Sequence, residues 1–171
     1  MARQAKAIPD GYHTMTPALT IRDAARAIEF YKTAFNAQQL ERLDGPDGKV
    51  MHAGLQIGNS RFMIGEESLQ SNCPSPVALN GTPTALYLYV ENVDAAFSQA
   101  VKAGAKVEMP VADMFWGDRA GQLSDPFGHR WWLATHKEDL APEQMKQRAQ
   151  QFFAEQAKAG AQPPQSAGSR K

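Results

Sequence analysis

Four histidines, one cysteine and one aromatic, charged loop hold most of the side chains here that could do chemistry. His52 lies in an alternating run, Lys49–Ile57, and His129 follows the tight turn Asp125-Pro-Phe-Gly128. Each could ligate a divalent ion or move a proton near neutral pH, or could make a structural hydrogen bond. His13 and His136 flank the chain's two halves and are weaker candidates. The loop Met114-Phe-Trp-Gly-Asp-Arg119 offers different chemistry. Phe115 and Trp116 could stack on a ligand while Arg119 pairs with an anionic or carbonyl group on it. The plainer expectation is an ion pair between Asp118 and Arg119 in an exposed loop, which contributes little to stability. Glu66 and Glu67 read as solvated, and Cys73, beside Pro74, as an inert surface thiol. No Ser-His-Asp arrangement, phosphate-cradling glycine loop or nucleotide fingerprint is present.

These side chains need elements to position them, and an internal repeat supplies the plan. Thr16–Ile21 leads into a helical run through Ile28, Tyr31 and Phe35. At an offset of 69 positions, Ala85–Val90 leads into a second run through Val93, Phe97 and Val101. The same offset carries Arg61-Phe-Met-Ile64 onto Arg130-Trp-Trp-Leu133. Two copies of one supersecondary unit follow, and equivalent positions should face a shared cleft. Alternation and turn residues give each copy the order βαβββ. Asp23 is the expected cap of the first helix and Gly104 the stop of the second. The fold class is therefore α+β, two βαβββ modules forming curved mixed sheets around a cleft, plus a C-terminal helix.

The expected divisions are an N-terminal extension over 1–10, a first module over 11–65, a linker over 66–83, a second module over 84–140, a helix over 141–159 and a disordered tail over 160–171. Met145, Ala149, Phe152 and Phe153 give that last helix an apolar stripe that needs a surface to cover. Trp131 and Trp132 are strand neighbours and must point to opposite faces. Trp132 is expected to enter the cleft.

Composition narrows the function classes. The 171 residues carry 18 basic and 18 acidic side chains, so nothing draws the chain to nucleic acid or to an anionic membrane. No apolar run approaches the ~20 residues a membrane helix needs. A single cysteine leaves no intramolecular disulfide framework, and no signal-peptide core stands near the start. The expectation is a cytoplasmic protein.

The repeat, the run Arg22-Asp-Ala-Ala-Arg-Ala-Ile-Glu-Phe-Tyr31 and the turn Asp125-Pro-Phe-Gly-His129 together resemble the vicinal oxygen chelate superfamily. That superfamily includes glyoxalases, bleomycin-resistance proteins and extradiol dioxygenases. Gly11-Tyr-His13, Pro46–His52, Met114–Arg119 and Ala134-Thr-His136 are similar to its phosphonate-operon-associated, PhnB-like branch.

The resemblance implies metal ligands at the first and last strands of each module. In this sequence those places fall on Thr16, Met63, Ala85 and Trp132, which cannot make a hard-ion site. It thus implies a homodimer that binds a small molecule without the usual metal, in an aromatic-lined cleft formed by Trp116, Arg119, Trp132, Met63, His52 and Phe115. No cofactor is expected, although a divalent metal is possible. The alternative is a metal-dependent lyase, isomerase or dioxygenase with His52 and His129 as displaced ligands.

Overall fold

The computed structural model describes residues 5–68, 70 and 72–160, so most of the expected tail over 160–171 lies outside the described residues. The first module contains β1 (Ala18–Ile21), α1 (Ala24–Phe35), β2 (Gln38–Asp44), β3 (Val50–Ile57) and β4 (Ser60–Glu66). A short helix, α2 (Pro76–Leu79), interrupts the connection to the second module. That module contains β5 (Ala85–Tyr89), α3 (Val93–Ala103), β6 (Lys106–Asp113), β7 (Asp118–Ser124) and β8 (Arg130–His136), and α4 (Pro142–Gly160) follows.

The strands form two four-stranded sheets, ordered β1-β4-β3-β2 and β5-β8-β7-β6. In each, the first strand runs parallel to the last and the other pairs are antiparallel, so both sheets are mixed. The repeat holds to the residue. Ala18 pairs with Met63, and their counterparts 69 positions on, Tyr87 and Trp132, pair in the same way.

Helix α1 buries Ala24, Ala27, Ile28, Tyr31, Ala34 and Phe35, one stripe at helical spacing. Helix α3 buries Val93, Phe97 and Ala100 in the same manner and stops at Gly104, as expected. Each helix lies on its own sheet, and the two helices pack against each other. Gln99 Nε2 on α3 donates to the Thr33 carbonyl at 2.7 Å and to Asn36 Oδ1 at 2.9 Å. One apolar core therefore spans both modules, with Trp131 packed 4.6 Å from Phe35, centroid to centroid. The other face of each sheet is turned away from this core. We call it the open face.

The helix starts correct two readings of the sequence. Asp23 has φ 67° and its side chain makes no capping bond. Instead the Glu66 carboxylate accepts the Asp23 and Ala24 N–H groups, each at 2.9 Å. In the second module the Thr135 hydroxyl accepts the Val93 N–H at 2.9 Å, again from the last strand and again at the 69-position offset. Glu66 is thus not a solvated linker residue, because orphan N–H groups at a helix start need an acceptor.

Nor is Glu67 solvated. It pairs with Arg22 and accepts the Ser75 hydroxyl at 2.6 Å, and Ser75 in turn caps α2. The Arg22 and Ser75 bonds hold the Glu67 carboxyl at about 2, below its ordinary value of 4.5. A group depressed in the folded state stabilises above its unfolded pKa and loses that contribution as pH falls through the folded value. Glu67→Gln should therefore lower the urea midpoint by a constant amount above pH ~5, and the gap should close as pH approaches ~2. A gap that persists unchanged in acid would show that the Glu67 charge is not what holds the α2 segment.

Candidate functional site

The open face of the second sheet gathers a group of polar and aromatic side chains that alternation along its strands dictates. On β5, Leu86 and Leu88 turn to the core while Tyr87 and Tyr89 turn outwards, 44% and 61% exposed. On β8, Trp131 is buried and Trp132 stands on the open face, stacked on Tyr87 at 5.9 Å and 11°. Ala134 and Ala120 are buried but lie outside the apolar core, so they form the floor of this face. Their small side chains leave the two tyrosines room to reach across β8 to β7.

They reach Asp118. This carboxylate is 4% exposed, and its Oδ2 accepts the Tyr87 hydroxyl at 3.1 Å, the Tyr89 hydroxyl at 3.0 Å and Trp116 Nε1 at 3.1 Å. Its Oδ1 lies 2.8 Å from His136 Nδ1, and the other ring nitrogen of His136 lies 3.1 Å from Asp139. Burial opposes ionisation of Asp118, but the four donors outweigh it and hold the carboxyl below the ordinary carboxylate range. Burial, reinforced by Asp118, pushes the Tyr87 phenol up to about 12. The Asp118 bond, followed by the Asp139 bond, raises His136 above its ordinary value. The result is a negatively charged centre ringed by donors and faced with aromatic surface.

The aromatic surface continues off the sheet. Trp116 lies edge-on to Trp132 at 6.3 Å, Phe115 edge-on to Trp116 at 4.9 Å, and Phe152 of α4 5.2 Å from Phe115. The apolar stripe expected on the last helix thus meets this loop through Phe152 and Phe153.

The structure sorts the residues expected from the sequence. It brings Trp116, Trp132 and Phe115 together on or beside this face. It directs Arg119 elsewhere, since strand neighbours point to opposite sides. The Arg119 guanidinium binds Asp94 on α3 at 2.8 Å and Asp113 at 3.1 Å, and the expected Asp118–Arg119 pair does not form. Met63 occupies the place on the first sheet that Trp132 occupies on the second.

His52 Nε2 stands 3.7 Å from Glu41 Oε1, which also accepts the Tyr12 hydroxyl at 3.1 Å. A Cβ at Gly54 would overlap this Glu41 carboxylate, so the glycine gives it its place. His129 lines a cavity of about 200 Å³ between β1 and β5, 9% exposed, with its buried Nε2 unpartnered among the described residues. Tyr87, Tyr89, Asp118 and His136 were not legible as a group. The clue was the Leu/Tyr alternation of β5, which puts both phenols on one face.

The donor set does not fit the metal site that the resemblance implies. Thr16, Met63, Ala85 and Trp132 offer no imidazole or carboxylate, and the shared register of Met63 and Trp132 fixes their equivalence. His52 and His129 belong to no group of three or more His, Cys, Asp or Glu side chains placed to hold an ion, among the described residues. No described helix is long and apolar enough to cross a membrane.

Comparisons with known proteins agree with this architecture. An uncharacterized protein of Mycobacterium bovis is 44% identical over 122 residues, covering 70% of this chain and 80% of that one. An uncharacterized protein of Arabidopsis thaliana is 30% identical over 125 residues, covering 68% and 74%. Among solved structures, TioX from Micromonospora sp. ML1 superposes with a TM-score of 0.58 at 28% identity, covering 72% of this chain and 98% of that one. The PhnB protein from Bacillus cereus gives 0.57 at 20% identity, covering 72% and 99%, a likeness of fold alone. The family model of the Glyoxalase/Bleomycin resistance protein/Dioxygenase superfamily matches residues 13–133, and the chain belongs to that superfamily.

Proposed function

We propose that this protein binds a small organic molecule on the aromatic open face of the second sheet, without an ion at the superfamily's usual four places. The observation that carries the reading is the Asp118 cluster. A buried carboxylate satisfied by two phenols, an indole and an imidazole fixes the rings in position before any ligand arrives, and preorganised aromatic surface favours binding. Thr16, Met63, Ala85 and Trp132 support the metal-free part, because none supplies an imidazole or a carboxylate.

The expected test is a thermal-shift screen of small aromatic compounds on the full chain, followed by affinity measurements on Trp116→Ala. Removing this ring should weaken the hits at least ~10-fold, about the 1.4 kcal/mol that one buried stacking partner supplies. Far-UV circular dichroism should be unchanged. Undiminished affinity would remove Trp116 from the site.

The protein acts, in this reading, as a homodimer. Among the described residues, Leu43, Met51, Tyr89 and Phe153 leave 53%, 60%, 61% and 63% of their surface in water. Burying such side chains against a second copy is favourable in proportion to the apolar area taken out of water. Light scattering should give about twice the 18.7 kDa of one chain, and a mass near 18.7 kDa overturns the dimer.

A further inference from the structure

We infer that the ligand taken by the Asp118 face is an organic cation, a quaternary ammonium or protonated amine that presents its charge to the rings of Tyr87, Tyr89 and Trp132. The inference rests on the proposed binding site and adds the ligand class. Cations are held over aromatic faces by the ring quadrupole, most strongly over Trp and Tyr and where water is excluded. Here Tyr87 is stacked on Trp132, and Tyr89 leans on Tyr87 at 5.1 Å, so three π-surfaces adjoin. Both phenols donate to Asp118, which makes their rings electron-rich.

The charges around the rings favour the same sign. Asp118 lies beneath them, and among the described residues the only basic side chain bonded to it is His136, which is shared with a second carboxylate, Asp139. Arg119 faces α3 from the other side of the sheet. Glu138 is matched by Arg148 of α4, and Arg130 lies further along β8, close enough to Glu108 to lower its carboxyl. An anion approaching Tyr89 would meet the ring faces and the field of Asp118. A cation finds every one of these favourable.

The test uses choline and its neutral isostere 3,3-dimethylbutan-1-ol, which replaces the trimethylammonium group by tert-butyl. Isothermal titration of the full chain should show choline binding at least ~10-fold more tightly, and the choline affinity should rise with pH as His136 loses its proton. His136 meets Asp118 from β7 and Asp139 from the segment after β8, with Tyr87 and Tyr89 of β5 on the far side of the carboxylate. Choline carries a fixed charge, so the pH slope reports the protein alone. Asp118→Asn should abolish the preference, and Tyr89→Phe, which keeps the ring and the charge, should retain it. If Asp118→Asn does not fold, the pH series on the unaltered chain decides.

Equal binding of the two isosteres, lost from both in Trp132→Leu, overturns the cation and leaves the site standing. Failure of choline to bind where Trp116-dependent compounds do bind has the same meaning. Binding of every probe unchanged in both Trp116→Ala and Trp132→Leu overturns the site as well.

Discussion

Asp125→Ala is expected to lower the stability of this protein by about 4 kcal/mol, enough to shift the melting temperature by on the order of 10 °C in a chain of this size. Asp125 is 5% exposed and lies where the two modules meet. Its Oδ2 accepts the Tyr31 hydroxyl at 2.7 Å and Trp131 Nε1 at 3.0 Å, while its Oδ1 accepts the N–H groups of Phe127 and His129, both at 2.9 Å. One carboxylate therefore ties α1 of the first module to the final strand of the second and closes the Asp-Pro-Phe-Gly turn. Alanine would leave four donors without their acceptor, and each buried donor so stranded costs about 1–3 kcal/mol before relaxation. Tyr31→Phe, which deletes one donor and keeps the ring, should cost only about 1–2 kcal/mol. Chemical denaturation checks both, and a loss below ~1 kcal/mol for Asp125→Ala would refute the role of this carboxylate as the tie.

Gly117→Ala should cost about 2–3 kcal/mol and disturb the aromatic face as well. Gly117 has φ 95°, a backbone region where a Cβ is strained. A Cβ built there would stand 2.5 Å from the Glu138 carbonyl oxygen. That neighbour cannot step aside freely, because the Lys137 and Glu138 N–H groups both donate to the Gly117 carbonyl at 3.0 Å. Trp116 and Asp118 flank the glycine, so relief of the clash must move one of them. The expected result is a lower urea midpoint together with weaker binding of any Trp116-dependent compound. A variant of unchanged stability would mean that this turn relaxes without strain.

The repeat at 69 positions made the architecture legible, because strands, helices and turns of both modules obeyed it together. Even the equivalence of Met63 and Trp132 followed from it, and pairing with Ala18 and Tyr87 bears that out. What stayed hidden depended on contacts between strands rather than along them. Asp118 meets His136 because β7 and β8 pair antiparallel in one register, and no local spacing encodes that. The phenols of β5 reach Asp118 only because Ala134 and Ala120 are small at the level they cross.

Arg119 departs from the expected pairing for a simple reason. The alternation that separates Trp131 from Trp132 also separates Asp118 from Arg119, once Asp118 is recognised as the first residue of a strand rather than part of a loop. Glu66 ends β4 and Glu67 opens the proline-rich connection that follows. Nothing along the sequence told that their oxygens end at helix α1, Arg22 and Ser75.

The adjacency of Trp131 and Trp132 also gives this protein two optical reporters in a single dipeptide. Trp131 is 3% exposed, walled in by Tyr31, Phe35 and Phe62, and its indole N–H is spent on Asp125. Trp132 faces outwards beside Trp116. An aqueous collisional quencher such as iodide separates the two populations, so the inner emission follows unfolding while the outer emission follows whatever settles on the face.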